Sequence, residues 1–263
     1  MEGVPEQETD AARELLAHIL SLLRLTTNTH KELSMPISIV RSTDAKTPSL
    51  ILCIYSMGGV GKTTLATTAP KPILLDSENG SKALGARGID LPIIHVKSWV
   101  DVQDAWKLVK DDDHFATIIV DPVGTFLDLL VDYTKAGGEM NLKKWGDAKL
   151  SMKRFIQTVK DSGKHIVFVA HEKEEKDDDQ VLRRPLLQAN LWNELVNACD
   201  VVGHLRVDAT GKRSLRVQPE QKYYAKDRYD ALGENIESPN ITNMIAKIHS
   251  AYNKPPFEDT KKK

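Results

Sequence analysis

The chain has 263 residues, a formal net charge of -1 and 28% charged residues. This length suits one large α/β domain with appendages, and the balanced charge gives no sign of general binding to nucleic acid or membranes. Its two cysteines form neither a disulfide framework nor a metal-site spacing. Because no apolar run has the length of a membrane span and no signal peptide is apparent, we expect a cytoplasmic protein with no membrane contact.

The chain divides into three predicted parts: an N-terminal helix and linker, an α/β core, and a C-terminal helix with a disordered tail, which span 1–48, 49–235 and 236–263. Apolar residues at helical spacing predict the N-terminal helix over 10–25, and a polar linker with one short strand at 37–41 follows it. This helix packs on its own domain or docks on a neighbouring subunit, and the sequence leaves both possibilities open. The closing helix is predicted at 241–252.

The stretch from Ser49 to Ala69 is an apolar strand, a glycine-rich turn and the start of a helix. Gly61-Lys62-Thr63 completes a phosphate-loop pattern in which Ser56 replaces the first glycine. Such glycines let successive N–H groups point into one concavity, where Lys62 reaches the β- and γ-phosphates and Thr63 supplies a hydroxyl to Mg²⁺. The residues predicted to hold the nucleotide are Gly58, Gly59, Val60, Gly61, Lys62, Thr63 and Thr64.

Three later predicted strands end in polar side chains. The strand at 72–76 leads into Asp76-Ser77-Glu78, the strand at 116–121 ends on Asp121, and the strand at 165–170 is followed by His171. In an open α/β sheet, ligands bind at the carboxyl ends of the strands. Asp121 has the position of a Walker B acid that holds Mg²⁺ through water, and His171 is placed to sense a γ-phosphate.

The segment at 134–145 is predicted as a mobile loop, and the long polar segment at 172–185 as a loop of the kind that is usually functional or disordered. A helix is predicted at 147–160. The last third of the core then alternates as strands at 201–207, 214–218 and 221–225, the first two of which form a hairpin. The third strand leads into Lys226-Asp227-Arg228, within a region that carries an excess of basic residues.

Together these features resemble the RecA-like recombinase fold, and most closely the small phage Sak-type ATPases of single-strand annealing and recombination. The resemblance covers about 49–232. It implies an α/β, RecA-like P-loop NTPase core with a mostly parallel central sheet flanked by helices and with a C-terminal β-hairpin and edge strands. It also implies that Glu78 polarises the attacking water, that His171 is the γ-phosphate sensor, and that Lys226 and Arg228 enter the ATP site of a neighbouring subunit.

The function implied by the resemblance is Mg²⁺-dependent, DNA-stimulated ATP hydrolysis. ATP and Mg²⁺ are the expected cofactors, and single-stranded DNA, bound without sequence specificity, is the expected partner. The expected assembly is a homo-oligomeric ring or filament in the cytoplasm, which is the host's if a phage encodes the chain. The two predicted loops fall where the family binds DNA, although the carboxylates within 174–179 repel a phosphate backbone.

Other nucleotide-binding classes share part of this pattern. Partition-type ATPases of the ParA and MinD class have the same loop, but Met57 stands where they carry an extra lysine. A GTP switch or a kinase is disfavoured because the guanine signature and an arginine-rich lid are missing from the sequence. A non-catalytic, nucleotide-gated binding module is disfavoured by the presence of Lys62, Thr63, Glu78 and Asp121. The partition or protein-remodelling class remains the main alternative.

Overall fold

The computed structural model describes residues 48–135, 138–177, 180–188 and 191–252. The strands are β1 (Ile51–Ser56), β2 (Pro72–Asp76), β3 (Ile93–His95), β4 (Thr117–Asp121), β5 (His165–Asp177), β6 (Gln180–Pro185), β7 (Val201–Val207), β8 (Arg213–Arg216), β9 (Lys226–Asp227) and β10 (Asn235–Glu237). The helices are α1 (Lys62–Ala66), α2 (Lys82–Gly85), α3 (Trp99–Val109), α4 (Val123–Lys135), α5 (Leu142–Asp161), α6 (Leu191–Ala198) and α7 (Ile241–Tyr252).

The strands form one sheet in the order β10-β8-β7-β1-β5-β4-β2-β3. From β7 to β3 all neighbours are parallel, while β8, β9 and β10 add antiparallel pairs at one side and β6 pairs with the far end of β5. The register places Ser56 beside His171 and Asp76 beside Asp121. The predicted strand-end side chains therefore meet at the carboxyl edge of the sheet.

Both faces of the sheet are buried, which explains why its central strands are continuous apolar runs. In β1, Cys53 and Tyr55 contribute to one core cluster, whereas Leu52 and Ile54 contribute to the other. Helices α3 to α6 pack on the first face and α1 and α7 on the second. The predicted α/β class, with a mostly parallel central sheet flanked by helices, is confirmed.

The predicted loop at 172–185 is wrong, because β5 continues there and pairs with β6. We call this part of the chain the β5–β6 hairpin. Acidic and basic side chains pair across it, with Glu174 Oε1 2.7 Å from Arg183 Nη2 and Glu175 Oε2 2.5 Å from Arg184 Nε. Opposite charges on paired strands stabilise such a ladder. The polar composition that indicated a loop therefore belongs to a hairpin whose first strand is exposed over 173–176, while Arg184 on the second strand is buried.

The predicted loop at 134–145 is wrong at both ends. α4 continues to Lys135, and α5 begins at Leu142, earlier than the helix predicted at 147–160. Asn141 is the N-cap of α5, and its side-chain oxygen accepts a hydrogen bond of 2.9 Å from the backbone N–H of Lys144. An Asn cap satisfies an otherwise unpaired helix N–H, so the basic residues after it are helical.

In the C-terminal third, the hairpin of β7 and β8 and the helix α7 follow the prediction. The strand predicted at 221–225 is wrong, because a turn closed by mutual backbone hydrogen bonds between Glu220 and Tyr223 interrupts it. Tyr223 forms an isolated parallel bridge with Arg183, and a strand begins again only with the short β9. The strand β10 was not predicted.

The predicted helix at 10–25, the strand at 37–41 and the C-terminal tail lie outside the described residues. The predicted division into 1–48, 49–235 and 236–263 stays a prediction. In the part of the chain that is described, no helix combines the length and hydropathy needed to cross a membrane.

Candidate nucleotide site

The turn between β1 and α1 has the backbone of a phosphate-binding loop. Gly59 and Gly61 have φ angles of 79° and 105°, in the left-handed region that favours glycine, and Gly61 is the N-cap of α1. No heavy atom lies within 4 Å of a Cβ built on Gly58 or Gly59, so this side of the loop is open. The loop therefore offers backbone N–H groups next to a helix N-terminus, an arrangement suited to anions.

Lys62 is folded back over this loop. Its Nζ donates hydrogen bonds of 2.9 Å to the carbonyl of Ser56 and 2.8 Å to that of Met57, and its side chain is buried. Burial lowers the pKa of Lys62, against the opposing charges of Asp121, Glu172 and Glu78. A buried ammonium group held only by carbonyls is a ready partner for phosphate oxygens.

Thr63 and Asp121 form a pair of oxygen ligands beside Lys62. The Oγ1 of Thr63 donates a hydrogen bond of 2.5 Å to Oδ2 of Asp121. Burial raises the pKa of Asp121, and the charges of Asp76 and Glu78 act in the same direction against the hydrogen bond from Thr63 and the charge of Lys62. A cation would relieve this crowding of negative charge, and hydroxyl and carboxylate oxygens are ligands that Mg²⁺ takes. The donor set therefore fits the predicted metal.

Among the described residues no group of three or more His, Cys, Asp and Glu side chains could hold a metal ion by itself. An ion at Thr63 and Asp121 would complete its coordination shell with phosphate oxygens and water, as Mg²⁺ does at phosphate-binding sites.

Asp76 organises the turn that carries Glu78. Its carboxylate is buried and accepts hydrogen bonds of 3.0 Å from the backbone N–H groups of Glu78 and Ser81. Burial acts to raise the pKa of Asp76, but hydrogen bonds from Ser81, Glu78 and Gly80 outweigh it and hold the pKa below its ordinary value. Asp76 thus stays ionised and positions the backbone of Glu78.

The side chain of Glu78 is held between two residues from different elements. Thr125, in the first turn of α4, donates a hydrogen bond of 2.6 Å to Oε1, and Nε2 of His171 lies 3.6 Å from Oε2. Sequence reasoning missed Thr125. The available signal was a hydroxyl residue four positions after the Walker B acid, at the start of the next helix.

Apart from Thr125, these side chains line one cleft of about 230 Å³. The predicted residues that line it are Gly58, Gly59, Gly61, Lys62, Thr63, Thr64, Glu78, Asp121 and His171. Val60 contributes instead its backbone carbonyl, which accepts a hydrogen bond of 2.8 Å from Nε of Arg213. The tertiary fold therefore brings together a phosphate loop, a pair of metal ligands and a carboxylate held near a histidine.

Lys226 and Arg228 do not line this cleft. β9 pairs with Val201 and Val202 at the start of β7, which is the opposite edge of the parallel sheet. Lys226 Nζ donates to the carbonyls of Val196 and Cys199 at 3.0 and 2.7 Å, and Arg228 Nη1 lies 3.0 Å from Oδ1 of Asp200. Their role in a neighbouring subunit stays a prediction.

Sequence reasoning also missed two arginines beside the loop. Arg87 Nη1 donates a hydrogen bond of 2.8 Å to Oγ1 of Thr64, and Arg213 lies against Gly61. The excess of basic residues in the last third of the core was a signal for Arg213, but the sequence does not show which of these residues faces the loop.

A family model described as an AAA domain, AAA_24, matches residues 49–229. A comparison with curated proteins found no match. The matched range covers more than half of the chain and contains the whole cleft described above, from the phosphate loop to His171. The chain therefore belongs to the AAA_24 family of AAA domains, and it is a P-loop ATPase.

Proposed function

We propose that this ATPase acts on single-stranded DNA as a RecA-like factor of the small phage Sak type, in strand annealing or recombination. The observation that carries the proposal is the position of His171. It lies beside Glu78 in the cleft, at the point where β5 leaves the core and enters the β5–β6 hairpin. The same strand therefore connects the phosphate site to a hairpin that projects beyond the core sheet.

In the proposed reaction, Lys62 and the N–H groups of the loop bind the phosphates of ATP. Thr63 and Asp121 would hold Mg²⁺, which would neutralise part of the phosphate charge. Glu78 orients a water molecule for attack and accepts its proton, and Thr125 keeps the carboxylate in position. Because charge spreads over the phosphoryl oxygens in this transition state, positioning and electrostatics supply most of the rate.

The base of the β5–β6 hairpin is held by charged side chains next to His171. The next residue, Glu172, lies with its side chain only 5% exposed, 2.6 Å from Nε2 of His204 and 3.1 Å from Nε of Arg183. The hairpin is thus tied to β7 through His204 and to its own second strand through Arg183. Loss of a γ-phosphate contact at His171 would shift this hairpin as a unit.

The charge pairs of the hairpin weaken the electrostatic objection to DNA binding. Glu174 and Glu175 are paired with Arg183 and Arg184, so these two carboxylates do not stand as isolated negative charges. Contact with DNA in this proposal is electrostatic and independent of sequence. The proposed assembly is a homo-oligomer whose ATP sites lie between subunits, with Lys226 and Arg228 facing the neighbouring cleft.

The test is steady-state ATP hydrolysis with and without single-stranded DNA, with Lys62→Ala as the control for contaminating activity. We expect hydrolysis to rise when single strands are added, and Lys62→Ala to be inactive in both conditions. Hydrolysis that does not respond to single strands, together with no ATP-dependent DNA binding, would contradict the DNA role. It would favour the partition or protein-remodelling alternative.

A further inference from the structure

A second cavity adjoins the phosphate cleft. It has a volume of about 560 Å³ and shares Gly61, Thr64 and Arg87 with the cleft. Arg213, Ser238 and Pro239, from β8 and the segment after β10, close its other side. Its volume lies within the range of small-molecule pockets.

The direction in which a nucleotide lies follows from the cleft itself. Glu78 and His171 mark the end where the terminal phosphate is attacked, next to Thr63 and Asp121. The nucleoside must leave the loop at a different point. The second cavity opens next to Gly61 and Thr64 and contains none of Glu78, Asp121 and His171.

Two arginines lie where the two cavities meet, since Arg87 lines both of them and Arg213 lies against the shared Gly61. Arg87 donates to the hydroxyl of Thr64, and Arg213 Nε donates to the carbonyl of Val60. Arg213 Nε also lies 2.8 Å from the position that a Cβ on Gly61 would take, so this approach depends on glycine there. Both side chains are exposed, and among the described residues neither guanidinium is paired with a carboxylate.

We propose that Arg87 and Arg213 hold the nucleoside part of the bound nucleotide, with their planar guanidinium groups against the base and ribose. This inference rests on the ATPase activity in the proposed function, and it is independent of the DNA role. Guanidinium groups stack on aromatic rings and donate hydrogen bonds in their plane, which suits a purine with ring-nitrogen acceptors. Arg87 and Arg213 are therefore specificity residues, while Lys62 serves the phosphates.

The experiment compares the affinities of Mg·ATP and Mg·tripolyphosphate, measured by calorimetry without DNA. Tripolyphosphate has the phosphate chain and no nucleoside, so it separates the two roles. For Arg87→Ala and Arg213→Ala we expect ATP to bind about tenfold more weakly, while tripolyphosphate binds as it does to the unsubstituted protein. Arg213→Lys, which keeps the charge and loses the planar group, should also weaken ATP binding.

Arg154→Ala is the matched control, since Arg154 is an exposed arginine on α5 that lines neither cavity. Equal weakening of both ligands by Arg213→Ala and Arg87→Ala would assign these residues to phosphate and overturn the proposal. Unchanged ATP affinity in both variants would overturn it as well. Failure of the ATPase assignment would look different, because the unsubstituted protein would then bind neither ligand and Lys62→Ala would change nothing.

Discussion

At the carboxyl edge of the parallel sheet, the carboxylates of Asp76, Glu78 and Asp121 line the same cleft as the ammonium group of Lys62. At the amino edge, Lys226 donates to backbone carbonyls at the end of α6, and Arg228 lies against Asp200. Both edges concentrate charge. They differ in how the charges are arranged: three carboxylates share one cleft at the carboxyl edge, whereas Arg228 is paired with Asp200 at the amino edge.

At the carboxyl edge, two pKa shifts show that the charges are in an unfavourable environment. Burial and neighbouring acids raise the pKa of Asp121, and burial lowers the pKa of Lys62, so both ionised forms are disfavoured there. Shifts of this kind in a cleft mark groups prepared for a ligand. Burial also lowers the pKa of Lys226 at the amino edge, but Lys226 and Arg228 lie outside the cleft and donate to the carbonyls of a helix C-terminus, which is a structural task. The predictions below test this contrast.

The largest expected effect is that of Glu78→Gln. The amide keeps the size of the side chain but cannot accept a proton from water, so hydrolysis should fall by on the order of a hundredfold or more while ATP still binds. Single-turnover hydrolysis and ATP calorimetry measure the two separately. Glu194→Gln is the control, because Glu194 lies outside the cleft and pairs with Lys149 and Lys153 on the surface of α5. Hydrolysis by Glu78→Gln at the unsubstituted rate would remove Glu78 from catalysis.

Lys226→Ala tests whether the amino edge is only structural. Losing the contacts with the carbonyls of Val196 and Cys199 should lower the free energy of unfolding by about 1–3 kcal/mol, measured by urea denaturation. If Lys226 also completes a neighbour's site, ATP hydrolysis should fall more than the loss of folded protein explains.

Mixing distinguishes the two roles of Lys226. Subunits with Lys62→Ala have a defective loop and an intact Lys226, and subunits with Lys226→Ala have the reverse. In mixed oligomers some interfaces then contain both intact groups, so activity should exceed the sum of the separate variants. A mixture no more active than that sum would leave Lys226 with its structural role alone.

Thr125→Val should have a smaller effect. The change removes the hydroxyl that donates to Glu78 but keeps a β-branched side chain of similar shape, so the carboxylate is less well oriented. We expect kcat to fall about fivefold with KM for ATP little changed, as for loss of one positioning hydrogen bond. Thr158→Val is the control, since its hydroxyl donates to the carbonyl of Arg154 within α5, away from the cleft. A kcat equal to that of the control would contradict the positioning role.

The smallest expected effect concerns pH and the amino edge. Nδ1 of His165 accepts a hydrogen bond of 3.0 Å from the backbone N–H of Leu50. Burial lowers the pKa of His165 from 6.5 to about 4, and the charge of His249 acts in the same direction. Between pH 6.5 and about pH 4, the unfolded chain therefore binds a proton at His165 that the folded chain does not bind. The free energy of unfolding falls as the pH is lowered through this range.

Because His165 is partly exposed, we expect a loss of about 1–2 kcal/mol across that window after allowance for solvent screening. Urea midpoints at a series of pH values measure it. His165→Asn keeps an acceptor for Leu50 and cannot titrate, so its stability should depend less on pH. An equal pH dependence in the variant would show that other groups cause the loss.

Sequence patterns located most of the cleft because they reflect what the local backbone and the buried strands require. The phosphate loop needs glycines at fixed positions before Lys62 and Thr63, and buried parallel strands need continuous apolar runs that end in polar residues. From these patterns alone, Glu78, Asp121 and His171 could be placed at one edge of the sheet. The same patterns failed for the β5–β6 hairpin, where charge pairs across strands stabilise a segment whose composition predicts a loop.

The sequence by itself determined the fold class and the chemistry of the phosphate end of the cleft. The tertiary structure alone decided which residues, distant in the sequence, contact this end of the cleft. Thr125 contacts Glu78 across 47 positions of sequence, and Arg213 contacts Val60 across 153. Such contacts depend on the strand order, which places β7 beside β1 and β8 beside β7, and on the pairing of β2 with β4. Periodicity and spacing describe only local structure, so they cannot show which distant residues the folded chain brings together.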